Sequence, residues 1–436
     1  MSLQRTFAAL VLGTLTTLGS AQTLARPGWS GSGMSIEPWW KRAIIYEIYP
    51  NTFQDSDGNG TLKGIAQHLD YVQSLNIDAI VLSPIYAASP GAGYTAIDPR
   101  LGTIGDFDAL MREASRRNIR VMLGMDLSPA SINETAALQT MRFWLNHGVA
   151  GFELYASDVP PATIHPLLHD LRKATDAAVG QRVLAAETSA STPEDLAKLY
   201  GSRGDELQLP MDTQLTYINK LDAAAFRTRL SESQTRLNGN QPFLIFDNPD
   251  NPRTWSRYSA GVTNPQDKEA IARILATVLL TTRAAAQIYY GQEIGLAGDA
   301  KMPMQWDRTQ TSGANVATEE ANPDSLLNWY RKLIAMRRSN LALHTGSNVM
   351  LNHDAQNALA WLRKPANASL EHPAVVIACN LSAQPVTLSL KADMKSNNIR
   401  GSFLRTIART DHGMGPMDLD AVHLPPFGVY IGEVRY

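Results

Sequence analysis

Arg120-Val121-Met122-Leu123-Gly124-Met125-Asp126, a helical run from Glu134 to His147, and then Ala150-Gly151-Phe152-Glu153-Leu154-Tyr155 decide how this chain folds. The two outer runs are short and apolar without strict alternation, which is the pattern of strands covered on both faces. Strand, helix and strand in that order make a unit whose two strands lie parallel. The same unit recurs in both directions along the chain. Further strands are predicted at Ala43–Tyr49, Asp78–Ser83, Arg182–Glu187, Glu206–Pro210, Pro242–Asp247 and Ala286–Tyr290. Amphipathic helices lie between them, with Leu62, Ile65, Leu69, Val72 and Leu75 at three- and four-residue steps in one, and Phe107, Leu110, Met111 and Ala114 in another. Eight such units in a row predict a (β/α)8 barrel. Alternation alone is also compatible with a doubly wound sheet.

Beyond about Leu341 the pattern changes. Ala358–Leu362, Val375–Cys379 and Val386–Leu390 are short runs separated by Asn, Pro and Ser clusters, and they predict a C-terminal antiparallel β-sandwich. At the other end, Arg5, the apolar run Phe7–Leu18 and the small residues Gly19-Ser20-Ala21 read as a signal peptide. The expected organisation is signal peptide 1–21, linker 22–38, barrel 39–340 and sandwich 341–436, with the product periplasmic or secreted and no membrane span in the mature chain. The 436 residues suit a large barrel plus an accessory domain. A formal net charge of −2, with no run of one sign, argues against nucleic acid and polybasic membrane contacts. The single cysteine, Cys379, excludes an intramolecular disulfide and is expected to pack as a small hydrophobe. His165 and His169 stand four apart without a third ligand, so zinc is not expected.

Several segments resemble glycoside hydrolase family 13, the α-amylase family, and its oligo-1,6-glucosidase and α-glucosidase branch in particular. They are Trp39-Trp40-Lys41 with Ile45-Tyr46-Glu47-Ile48-Tyr49-Pro50, Asp98-Pro99-Arg100-Leu101-Gly102-Thr103, Tyr290–Leu296, Met302–Asp307 and Leu326–Ile334. The resemblance implies a barrel followed by a β-sandwich, and an ancestral retaining reaction at α-glucosidic bonds. Such a reaction uses a nucleophilic carboxylate and an acid/base about 5 Å apart. By that resemblance Glu187, in Ala185-Ala186-Glu187, is the acid/base. Asp250, in Asp247-Asn248-Pro249-Asp250-Asn251-Pro252-Arg253, is the third carboxylate.

The chain also departs from the family pattern. Where the family has Gly-Phe-Arg-x-Asp, this sequence has Gly151-Phe152-Glu153-Leu154-Tyr155, so Tyr155 stands at the nucleophile's position and Glu153 at the arginine's. Pro249 replaces one sugar-binding histidine. Asp126 is kept, but Ala130 and Ser131 replace the asparagine and histidine expected after it, and the aspartate expected after Gly93-Tyr94 is missing. The family's extra domain after the third strand is also missing, since a helix starts near Asn133 or Glu134. Loss of a nucleophile costs roughly 10⁴ to 10⁶ in rate. The expectation is an exported protein of carbohydrate metabolism, impaired as a hydrolase and binding an α-linked oligosaccharide or glucan.

The alternative is a non-enzymatic partner or scaffold, like the related heavy chains of amino-acid transporters. Glu187 and Asp250 are read either as relics or as working groups. Tyr155 is expected to fill the pocket rather than attack. Asp126, Tyr94, Arg253 and Trp306 are the candidate substrate-binding residues. For each of them a structural role competes: an unspecified one for Asp126, packing for Tyr94 and Trp306, and pairing with a mouth carboxylate for Arg253. Asp55, Asp57, Asn59 and the Thr61 carbonyl resemble the family's calcium loop, and Ca²⁺ is the cofactor expected if that loop is not simply an Asx-rich turn capping the next helix.

Overall fold

The computed structural model describes residues 37–54, 60–87, 93–307 and 314–436. The expected signal peptide, nearly all of the linker, and Asp55, Asp57 and Asn59 lie outside them. Strands β1 (Ile44–Ile48), β2 (Ala79–Leu82), β3 (Arg120–Asp126), β4 (Gly151–Ala156), β5 (Val183–Thr188), β6 (Leu209–Asp212), β7 (Phe243–Leu244) and β8 (Ala285–Tyr289) close into a parallel barrel in chain order. All eight were legible in the sequence, with two shifted or shortened. The sixth begins later than expected because the amides of Glu206 and Leu207 bond back to Tyr200 and Leu199 instead of to β5. The seventh pairs only through Phe243 and Leu244 before the chain leaves the ladder.

Register places the site. Asp126 on β3, Tyr155 on β4 and Glu187 on β5 are direct neighbours across the ladder. One close approach sets the start of β4: a Cβ on Gly151 would lie 2.0 Å from the Val183 carbonyl oxygen, so only glycine fits there. Between β3 and the next helix there is only Leu127–Asn133, and Asn133 caps that helix by accepting from the Ala136 amide. The large insertion expected of the family is therefore not present at this point.

The C-terminal strands β9 (Ser347–Leu351), β10 (Ala358–Lys364), β11 (Val375–Asn380), β12 (Val386–Leu388), β13 (Phe403–Arg409), β14 (Met417–Asp418), β15 (Val422–Leu424) and β16 (Val429–Arg435) pair antiparallel. They make a six-stranded sheet and a separate β12–β15 pair. Alternation gives the large sheet two apolar faces. Leu359, Trp361, Ile377, Cys379 and Ile431 join the same core as the barrel's helices. Ala360, Leu362, Val376 and Ala378 pack with Leu388, Val422 and Leu424 on the other side. Buried arginines fasten the two parts: Arg227 donates to the Ala355 and Ala358 carbonyls, and Arg363 to Thr281 and Gly346. Pro38–Tyr436 thus pack as one compact unit. Among the described residues, no helix is long and apolar enough to cross a membrane.

Candidate active site

Inward-facing positions on a barrel strand recur every second residue. On β4 they bring Gly151, Glu153 and Tyr155 into the interior, on β1 Ile45 and Glu47, and on β8 Ala285 and Gln287. The upper interior is consequently acidic. Glu47 accepts from Ser83 Oγ at 3.0 Å, from Tyr155 Oη at 3.3 Å and from Gln287 Nε2 at 2.9 Å. The same Gln287 amide reaches Glu153 at 3.3 Å. Glu153 Oε2 and Gln287 Oε1 are buried without a hydrogen-bond partner. Burial pushes Glu47 and Glu153 up from the usual carboxylate range, and each also feels like charge, Glu47 from Glu187 and Glu153 from Glu47.

Tyr155 is turned downwards. A Cβ on Gly124 would come within 2.7 Å of its hydroxyl, so the phenol lies over that glycine and its tip reaches Glu47. Burial and the charges of Glu47 and Glu153 raise its pKa well above that of a free tyrosine. Glu187, beside it on β5, is half-buried, and burial together with the nearby charge of Asp250 raises its carboxyl to about 7. A carboxyl that keeps its proton near neutrality can donate it to a leaving oxygen. Asp250 sits in the loop after β7. Asn248 Oδ1 accepts from the Asp250 amide at 3.2 Å and from the Asn251 amide at 3.0 Å, which fixes that turn. Asp250 lines an open cleft of about 420 Å³ with Pro249, Asn251, Pro252 and Gly298 to Lys301.

The other expected residues separate into two groups. Tyr94 stacks on Tyr86 with ring centroids 4.9 Å apart, and burial and the charge of Asp126 raise its hydroxyl's pKa. Asp126 accepts from the Ser128 amide at 2.8 Å and from its hydroxyl at 3.0 Å, so both oxygens hold the turn after β3. Both residues flank the mouth. Arg253 and Trp306 do not face it openly. Arg253 is 1% exposed and donates to the carbonyls of Tyr290, Asp299 and Ala300. This corrects the expected pairing with a mouth carboxylate: three carbonyls of the loops after β8 claim its donors. Trp306 stacks on His68 at 3.7 Å and donates to the Phe53 carbonyl at 2.7 Å, so one face is covered by protein. His165 and His169 lie beside Glu206 and Asp205, at 2.7 and 3.6 Å.

Of the calcium set only Thr61 is described. Its hydroxyl accepts from the Gly64 amide at 3.1 Å and its carbonyl from Ile65 at 3.0 Å, both as the cap of the helix Leu62–Gln67. Among the described residues no group of three or more His, Cys, Asp or Glu is arranged to hold a metal ion.

Sequence reasoning missed Glu47, Ser83 and Gln287. The signal was present: Glu47 shares parity with Ile45 in an otherwise apolar strand, and Gln287 shares it with Ala285.

Comparison with known proteins agrees with this architecture. The chain is 24% identical to the glucan 1,6-alpha-glucosidase of Streptococcus pneumoniae serotype 4, over 89% of this chain and 99% of that one. It is 26% identical to the amino acid transporter heavy chain SLC3A2 of Oryctolagus cuniculus, over 74% of this chain and 66% of that one. Its fold superposes on the isomaltulose synthase PalI from Klebsiella sp. LX3 with a TM-score of 0.79, at 20% identity, covering 92% of this chain and all of the other. The family described as the alpha-amylase catalytic domain matches residues 47–128 and 127–346, the greater part of the chain. With the closed barrel and the antiparallel sheet behind it, that match makes this protein a member of the alpha-amylase family.

Proposed function

We propose that this protein binds an α-linked oligosaccharide or glucan at the mouth of its barrel and is impaired as a hydrolase. The observation that carries the reading is the orientation of Tyr155, whose hydroxyl points into the barrel and bonds Glu47 instead of facing the cleft. A retaining glycosidase needs an acid and an opposed nucleophile. Glu187, with its carboxyl raised to about 7, suits the first role. The second is unfilled: the phenol is turned away with its pKa raised, and Glu47 and Glu153 are buried beneath it. Asp250 faces the cleft but serves as the attacking group only with the sugar in a different pose. The naming of relatives as glucan 1,6-alpha-glucosidase and alpha-glucosidase supports α-glucosidic ligands.

The test is a pair of measurements on purified protein. Thermal shift with maltose, isomaltose and longer α-glucans should show saturable stabilisation. Assays on the same sugars and on an aryl α-glucoside should show no turnover. Turnover of about 1 s⁻¹ or more, lost on Glu187→Gln, sinks the impaired reading.

A second reading is a non-enzymatic partner protein, and the similarity to a transporter heavy chain favours it. Stabilisation by none of the α-glucans would leave this reading standing and remove the first. Export is part of the proposal and rests on Phe7–Leu18 and Gly19-Ser20-Ala21. A mature N-terminus between Gln22 and Arg26, read by mass spectrometry, is the expected result, and an intact Met1 form held in the membrane removes it.

A further inference from the structure

We propose that Tyr217, with Asn219 and Asn251, forms a second saccharide position on the barrel rim that takes a sugar unit remote from Glu187. This rests on the binding reading above and deepens it. Tyr217 ends the short 3-10 turn Gln214–Tyr217 that follows β6, on the face where the strands' C-terminal ends open. Its side chain is 62% exposed, the highest of any aromatic among the described residues whose exposure exceeds half. An aromatic ring left in water on a rigid perch is available to cover an apolar face.

The perch is rigid for a definite reason. The Arg257 guanidinium donates to the Thr216 and Ile218 carbonyls, on either side of Tyr217, and to the carbonyls of Pro252 and Phe246. It also lies 3.5 Å from Asp247. One buried arginine therefore clamps the backbone around Tyr217 to the loop after β7. A ring already held in place loses little freedom on binding.

The cleft beneath Tyr217 has about 260 Å³ and is lined by Thr216, Tyr217, Asn219, Asn251, Pro252 and Arg257. Its one charge, Arg257, is spent on carbonyls and Asp247, so the lining suits a neutral ligand rather than a phosphate or an acidic peptide. Asn219 is exposed, and Asn251 uses its Nδ2 on Asn248 and keeps Oδ1 available for a hydroxyl. A ring for the C–H face and amides for the hydroxyls match a pyranose. Asn251 and Pro252 also line the Asp250 cleft, so the two hollows share a wall. A glucan seated against Asp250 would reach Tyr217 by crossing Asn251 and Pro252, whereas a disaccharide seated at Glu187 leaves it empty.

The experiment is isothermal titration of wild type, Tyr217→Ala, Tyr217→Phe and Asn219→Ala with a disaccharide and a hexasaccharide of each linkage, α-1,4 and α-1,6. The linkage that wild type binds is carried through the series. Tyr217→Ala should weaken the hexasaccharide about three- to tenfold and leave the disaccharide unchanged. Tyr217→Phe should retain wild-type affinity, because the ring and not the hydroxyl does the stacking. Melting temperatures should match wild type, since the side chain is exposed. Equal hexasaccharide affinity in wild type and Tyr217→Ala overturns the inference alone, and so does an equal loss for both ligand lengths. Wild type that binds neither length of either linkage overturns the inference together with the binding reading.

Discussion

The lower and upper halves of the barrel interior are built on the same strands and behave oppositely. Below, Ile45, Val81, Met122, Ala150, Val183, Ala185, Leu209, Met211, Phe243, Ile245 and Ala285 make a closed apolar cluster. Two residues further along the same parity stand Glu47, Ser83, Gly124, Glu187 and Gln287, with Glu153 after Gly151. The lower layer gains from every apolar contact it makes. The upper layer holds buried carboxyls with no cation among their hydrogen-bond partners, and leaves Glu153 Oε2 and Gln287 Oε1 unmatched. The difference separates what holds the barrel together from what the barrel carries. Residues below should be costly to change. Some residues above should be free to change, or better changed.

The largest expected effect is in the lower layer. Phe243→Ala should cost about 3–5 kcal/mol in urea denaturation, because a fully buried ring leaves a cavity among packed neighbours. A cost below about 1 kcal/mol would break the contrast between the halves.

Next in size is the reverse effect above. Glu47, Glu153 and Glu187 have raised pKa values in the folded protein. Folded chains therefore keep protons that unfolded chains release. The stability these groups contribute is complete below about pH 4.5, near the ordinary carboxylate value, and is lost as pH rises, through about 7 for Glu47 and Glu187 and through the raised range of Glu153. Glu153→Gln removes one of the three. It should raise stability at pH 8 by about 2 kcal/mol and leave pH 4 nearly unchanged, with its new amide able to donate to the free Gln287 Oε1. Equal effects at the two pH values would show that charge burial is not the cause.

A smaller change sharpens the role of Tyr155. Tyr155→Phe keeps the ring over Gly124 and removes one bond to Glu47, of 3.3 Å. The cost should be about 0.5–1 kcal/mol, with no turnover gained. A loss of 3 kcal/mol or more would make the hydroxyl, and not the packing of the ring over Gly124, the main stabilising part of Tyr155. The smallest effect concerns calcium. Melting with calcium and with a chelator separates the two readings of the 55–61 loop: a shift of less than about 1 °C favours the Asx-rich turn in which Thr61 caps the next helix, and a clear fall on chelation favours calcium.

What the chain determined by itself was the architecture. Short continuous apolar runs and helical stripes are local properties, so the strand–helix–strand order in 120–155 and its repeats predicted the barrel strands directly. Glu187 and Asp250 were found because the family motifs are contiguous in sequence. Tertiary structure decided the rest. Glu47 and Tyr155 are 108 residues apart and Glu47 and Gln287 are 240 apart, so no local pattern could show them meeting. Arg253 lies in a familiar-looking motif, yet three carbonyls from a distant loop take its donors. The downward turn of Tyr155 depends on the space that Gly124 leaves on a neighbouring strand. Strand periodicity fixes which face a side chain is on; which neighbour it touches there depends on the vacancies and partners that closure of the barrel brings together.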